Sequence, residues 1–155
     1  MVSIQEHIEI TAPSSTVFGF CHDIAQRPQW DERVRRIELL TPAPIRQGTL
    51  IQVDTNRPAG DVFGWEGEYT EFKFPLNSRV QVLDAAPSSP FKSGNERWSF
   101  STVGDATRVT VIWEYEPRNL IARILDAVAG RAANRRAIRS SLANLKEMLE
   151  SGESL

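Results

Sequence analysis

The chain is poor in the residues that anchor covalent or metal chemistry. It has one cysteine, Cys21, and two histidines, His7 and His22, among 155 residues. A lone thiol excludes an internal disulfide and points to a reducing, cytoplasmic setting. Two histidines with no third ligand at a suitable spacing give no metal site, and no other cofactor is implied. Both histidines read as structural or surface residues, and Cys21 as a small core hydrophobe. No Gly-x-Ser-x-Gly, phosphate loop or dinucleotide fingerprint occurs. No apolar run reaches the roughly 18 residues that a membrane span needs. The first ten residues alternate in polarity, unlike a signal peptide. Basic surplus is also missing: 18 Lys and Arg stand against 20 Asp and Glu, for a net charge of −2, so no nucleic-acid footprint is present.

What is there is ordinary globular material, 41% hydrophobic and 25% charged. The length fits one domain over residues 1–150, with a frayed tail at 151–155. Ile4, Glu6, Ile8 and Ile10 share a parity that reads as a first strand. Ala12-Pro13 interrupts it, and residues 13–21 read as a short helix with Val17, Phe18, Phe20 and Cys21 on its apolar side. Asp23 and Gln26 resemble a capping box opening a second, very short helix that Pro28 limits. From 33 to 116 the pattern is β, with expected strands at 34–40, 49–55, 63–74, 79–85, 95–103 and 107–116. A loop is expected at 56–61, another at 87–94, and a hairpin turn at Gly104-Asp105. Short connections favour an antiparallel meander. Asn119 can cap a helix running from Leu120 to Glu150, with an apolar stripe of Ile121, Leu125, Val128, Ala132, Ile138, Leu142, Leu145 and Leu149. It would span roughly 45 Å, with a bend expected at Gly130.

A sheet with one apolar face must cover it, and only the C-terminal helix is long enough. A curved sheet gripping that helix solves the problem and leaves a cavity in the middle of the grip. The residues Ile8-Glu-Ile-Thr-Ala-Pro-Ser-Ser-Thr-Val-Phe-Gly-Phe20, Pro28-Gln-Trp30 and Thr107-Arg-Val-Thr-Val-Ile-Trp-Glu-Tyr-Glu-Pro117 resemble the START-like, birch-pollen-allergen-like helix-grip superfamily, in its polyketide cyclase/dehydrase branch. The resemblance spans nearly the whole chain. It implies an α+β helix-grip fold of about seven strands, in the order β-α-α-β6-α. It also implies a pocket for a small hydrophobic ligand. Its members include aromatases and cyclases, lipid and hormone carriers, and chaperone co-activators.

Candidate site residues follow from strand parity. Val109, Val111, Trp113 and Tyr115 share the face expected to meet the helix. Glu96, Trp98 and Phe100 form the inward set of the preceding strand. Phe63, Trp65, Gly67, Tyr69 and Glu71 share a parity on a third. Trp65, Trp98, Phe100 and Trp113 are either core or the wall of a pocket suited to a flat ligand. Glu96, Tyr69 and Tyr115 are the catalytic candidates. Buried beside Trp98, Glu96 would be pushed up by desolvation and suit proton transfer, unless a strand arginine pairs with it. Val128 continues the helix stripe. Arg131 and Arg135 lie near that stripe, and either cover apolar surface with their stems or hold an anionic ligand group at the pocket mouth. Trp30 is expected to pack against the sheet end.

Three functions compete. One is a carrier of a small hydrophobic molecule, which needs only the pocket. Another is a cyclase-like enzyme in which Tyr69, Tyr115, Glu96 and an arginine act on a poly-carbonyl chain without metal or nucleophile. The last is an interaction module on the outer sheet face, disfavoured because Ser99, Thr110, Glu114 and Glu116 make that face polar. Homodimerisation is compatible with the sequence but not shown by it.

Overall fold

The computed structural model describes residues 1–56 and 62–151. Seven strands form one antiparallel sheet: β1 (Val2–Ile10), β2 (Val34–Leu39), β3 (Leu50–Asn56), β4 (Val62–Lys73), β5 (Asn77–Ala85), β6 (Phe91–Val103) and β7 (Ala106–Pro117). Their spatial order is β1-β7-β6-β5-β4-β3-β2. The meander therefore runs from β2 to β7. β1 stands at the far edge, because α1 (Ser14–Cys21) and α2 (Arg27–Trp30) carry the chain across to β2. After β7 come α3 (Leu120–Leu125), a π-helical turn (Asp126–Gly130) and α4 (Arg131–Ser151). This is the helix-grip architecture, an α+β half-barrel closed on a C-terminal helix.

The sheet curls because its ladders are interrupted. Register shifts occur between Val34 and Arg36, Glu66 and Gly67, Tyr69 and Glu71, and Phe91 and Ser93, and each bulge sharpens local twist. Gly67 sits in one of them. A Cβ there would lie 2.6 Å from the Trp65 ring and 2.9 Å from Val80. Gly104 takes φ +63° between the paired residues Val103 and Ala106, where a two-residue hairpin needs a left-handed position.

The inward parity of β7 is buried throughout, at Val109, Val111, Trp113 and Tyr115. Against it pack Ile4 and Ile10 of β1, Val17, Phe18 and Cys21 of α1, and Ile138, Leu142 and Leu145 of α4. α1 closes one end of the grip through Phe18, whose ring meets Phe72, Phe74 and Phe100 edge-on at 5.1–5.3 Å. α4 is strapped to β1 by Lys146 Nζ on the Glu9 carbonyl at 2.7 Å and by Arg139 on Glu6.

Several expectations shift. The capping box at Asp23 does not open a helix. Asp23 Oδ1 accepts from Ala25 N in a turn, and the four-residue α2 begins at Arg27 with Pro28 in its first turn. β6 begins at Phe91, inside the stretch expected to be loop, because Arg118 holds the loop end by donating to the carbonyls of Ser89, Ala86 and Phe91. Most of the 56–61 loop and the tail beyond Ser151 lie outside the described residues. The larger correction concerns the C-terminal helix. Asn119 caps it, accepting from Ala122 N at 2.8 Å. Yet Ile121, Leu125, Val128 and Ala132 are exposed, and only the half beyond Ile138 is buried against the sheet. The π turn inserts one extra residue, which rotates everything ahead of it by about 100° relative to a continuous α stripe.

Candidate functional site

Where the front half of the helix stands off the sheet, a cavity of about 470 Å³ opens. That is within the usual size of a small-molecule site. Its outer rim is formed by exposed residues, Pro87, Ser88 and Pro90 of the β5–β6 loop and Ile121 and Leu125 of α3. Trp65, Trp98, Trp113, Tyr69, Tyr115 and Glu96 all line it, as do His22, Arg27 and Arg33. Gly94 makes room for one wall: a Cβ there would lie 2.6 Å from the Trp113 ring.

The buried end of the cavity is polar and already paired. Arg27 and Arg33 each bond both Asp31 and Glu96: Arg27 at 2.8 and 3.3 Å, Arg33 at 3.1 and 2.7 Å. Two guanidiniums and two carboxylates cancel in formal charge. The Trp98 indole N–H adds a bond to Glu96 at 2.7 Å, and Ser141 of α4 donates to Asp31 at 3.3 Å. The Arg27 guanidinium lies 5.1 and 5.2 Å from the rings of Trp30 and Trp98, a cation held between two aromatic faces. Burial alone would raise Asp31, but Arg33 and Arg27 more than offset it and hold the carboxyl well below its usual range. Burial would lower both arginines, and the carboxylates reverse this and raise them.

Beside this cluster, His22 sits 4.1 Å from Phe18, ring on ring. Its Nδ1 lies 2.7 Å from the Phe18 carbonyl and its Nε2 2.7 Å from Ser78 Oγ. The carbonyl fixes Nδ1 as the donor, so Nε2 accepts from the serine. Burial first, then the charge of Arg27, push His22 down to about 4 against the help of the Phe18 carbonyl, so the ring is neutral. Ser78 is fully buried and is not part of the cavity wall, so the pair is a structural clasp and not a nucleophile dyad. Tyr69 is different. Its hydroxyl forms no hydrogen bond among the described residues, and its ring borders the cavity. Burial pushes its pKa up to about 12, partly opposed by Arg27, so it is a protonated donor.

Four expected site residues stand elsewhere. Phe100 is packed behind the wall against Phe18 and Trp98. Val128 points to solvent. Arg131 pairs with Asp126 at 3.2 Å and Arg135 with Glu6 at 3.4 Å, and neither lines the cavity. The π turn and the β1 acid draw both arginines away from the mouth. Glu96 is indeed paired, but with arginines of α2 and the α2–β2 link, not of a neighbouring strand. Arg27, Asp31 and Arg33 were missed, and His22, read as structural or surface, is structural but also borders the cavity. The one local trace of the missed residues is Arg27-x-x-x-Asp31-x-Arg33, an i,i+4 pair with a third charge two residues on.

No curated protein matches the chain. Among solved structures, TTHA0849 from Thermus thermophilus superposes with a TM-score of 0.80 at 19% identity, covering 97% of this chain and 99% of that one. A START superfamily protein from Mycobacterium smegmatis gives 0.74 at 16%, covering 96% and 97%. One half of the di-domain ARO/CYC BexL from the BE-7585A biosynthetic pathway gives 0.74 at 20%, covering 96% of this chain and 50% of that one. These likenesses are of fold. A family model spans residues 1–150, and the chain belongs to the polyketide cyclase / dehydrase and lipid transport family.

Proposed function

We propose that this protein binds a small, electrically neutral hydrophobic molecule, flat or aromatic in its buried part, between the sheet and the C-terminal helix. The observation that carries this reading is the polar end of the cavity. Its two arginines are matched by Asp31 and Glu96. Arg118, which also lines the cavity, already donates to the carbonyls of Ser89, Ala86 and Phe91. Among the described residues, a carboxylate or phosphate entering there would therefore meet no cation free of other bonds, whereas Tyr69 offers an unused hydrogen-bond donor. A ligand with one carbonyl or hydroxyl oxygen at its leading end would accept from Tyr69, with its apolar body against Trp65, Trp98 and Trp113. The experiment is native mass spectrometry of protein purified from its own host, with denaturing extraction of anything retained. Calorimetric titration with matched amide and carboxylate forms of one aromatic probe follows. Preference for the neutral form, lost in Tyr69→Phe, supports the reading. Preference for the anion overturns it.

A second reading, turnover of a poly-carbonyl substrate, draws support from the family and from the same hydroxyl. A phenol at the end of an apolar cavity can polarise a carbonyl and assist enolisation. Glu96 would then hold Arg27 and Arg33 in place and Tyr115 would serve the rim. Product formation from a poly-carbonyl chain, abolished in Tyr69→Phe with the fold intact, separates enzyme from carrier.

A further inference from the structure

The front of the C-terminal helix carries a feature that extends beyond the cavity rim. Leu120, Ile121, Ile124, Leu125 and Val128 are each between 54% and 77% exposed. Five large aliphatic side chains on about two turns make a contiguous apolar face that a monomer in water rarely leaves bare. Around it the charge is one-sided. Between Arg118 and Arg139 the chain has six arginines and one acid, Asp126, although the whole chain is net negative. Arg131, Arg135 and Arg139 pair with Asp126 or Glu6, yet Arg123 and Arg136 are exposed, and neither of their side chains is bonded to an acid among the described residues.

We infer that α3 and the π turn form a docking surface for an anionic lipid bilayer, lying in the plane of the headgroups with the apolar face downward. Charge complementarity selects this occupant. An exposed aliphatic face flanked by arginines is the composition of an interfacial helix, and each basic residue near an anionic leaflet adds to the attraction. The face carries no tryptophan, tyrosine or phenylalanine, the anchors that dominate protein–protein contacts. Continuity with the cavity supports it further. Ile121 and Leu125 belong both to the exposed face and to the cavity rim. Insertion of that face would join the cavity to the acyl layer, so an apolar ligand could pass without crossing water. No helix among the described residues is long and apolar enough to cross a membrane. The proposal is for a helix that lies on one.

The test is flotation of the full chain with vesicles of phosphatidylcholine alone or with about one third phosphatidylglycerol, at low and high salt, with gel-filtration mass measured in parallel. Ile124→Asp and Val128→Asp are the variants. Both side chains are exposed and outside the cavity wall, and circular dichroism verifies their fold. Co-flotation with the anionic vesicles, weakened by salt and reduced on the order of tenfold by either variant, is the expected result. No flotation, flotation indifferent to lipid charge, or flotation unchanged by both variants overturns it. So does a dimer that both variants dissociate, which would make a second copy the cover of this face. The outcome is independent of whether the cavity ligand is neutral, because neither variant touches Tyr69 or the paired arginines.

Discussion

Arg33, in the link between α2 and β2, donates to Glu96 on β6 at 2.7 Å. This joins two segments 63 residues apart in sequence at the floor of the cavity. The same carboxylate takes Arg27 and the Trp98 indole, so one side chain ties α2, the link and the sheet together. Buried ion pairs gain little over an apolar substitute, but breaking one partner leaves an uncompensated charge. Glu96→Gln should therefore cost about 3–5 kcal/mol in denaturant unfolding. A double variant, Glu96→Leu with Arg33→Leu, should cost less than the sum of the single changes. Additive costs would show that the two side chains do not act as a pair.

His22 sets a pH dependence with a definite sign. Its folded pKa of about 4 lies below the ordinary value of 6.5, so between those values the unfolded chain binds a proton that the folded chain does not. Stability is therefore whole above about pH 6.5 and falls as pH drops toward 4, by up to about 3 kcal/mol. Asp31 acts in a separate window. Its folded carboxyl is depressed, so its contribution is present above the ordinary carboxylate pKa and is lost only below about pH 4. Urea midpoints measured across pH 7 to 4 should show the first slope in the natural protein and lose it in His22→Gln. A slope unchanged in that variant would assign the effect to another group.

The strands, the hairpin at Gly104 and the Asn119 cap were legible because they rest on local rules: alternation, turn glycine, side-chain capping. The inward parities of β6 and β7 were legible for the same reason, and they brought Trp98, Glu96, Trp113 and Tyr115 to the cavity. The arginines were not. Arg27 and Arg33 reach the site only because β1 crosses to β7 and α2 folds back under β6, a long-range arrangement without a short-range trace. Arg131 and Arg135 were misplaced because their acid partners, Asp126 of the π turn and Glu6 of β1, are set by the tertiary arrangement, and a π turn cannot be seen in an uninterrupted run of helix formers. One added residue turned the stripe, and with it the expectation for Val128.

Gly94 and Gly67 limit the shape of the cavity. At Gly94 a methyl would meet the Trp113 ring at 2.6 Å and the Glu114 carbonyl oxygen at 2.9 Å. At Gly67 it would meet the Trp65 ring at 2.6 Å, Val80 Cγ1 at 2.9 Å and the Gln81 carbonyl oxygen at 3.1 Å. The Glu114 carbonyl cannot move without disturbing the β6–β7 ladder, whereas the Trp65 ring can swing into the cavity. Gly94→Ala should then destabilise by about 1–3 kcal/mol. Gly67→Ala should destabilise as well, through Val80 and the Gln81 carbonyl, and in addition reduce affinity for an aromatic probe. Intrinsic fluorescence and titration calorimetry check both. Equal binding in Gly67→Ala would mean that Trp65 does not set the cavity width.

The Tyr115 hydroxyl of β7 donates to Asp126 in the π turn, which in turn accepts from Arg131 at 3.2 Å. This clasp fastens the front of the C-terminal helix to the sheet across the rim of the cavity. Burial, and then Asp126, push Tyr115 well above its usual pKa, so the phenol remains a donor throughout the physiological range. Removing the hydroxyl should free the front segment while leaving the core half of α4, anchored by Ile138, Leu142 and Leu145, intact. Tyr115→Phe is thus expected to change global stability by about 1 kcal/mol. It should also raise hydrogen exchange over residues 120–130 on the order of tenfold, and speed ligand release by a similar factor. Hydrogen-exchange mass spectrometry and stopped-flow displacement read these separately. Faster exchange without faster release would place the exit at the β5–β6 loop. Unchanged exchange would mean that the segment is held by its own helix hydrogen bonds and not by the sheet.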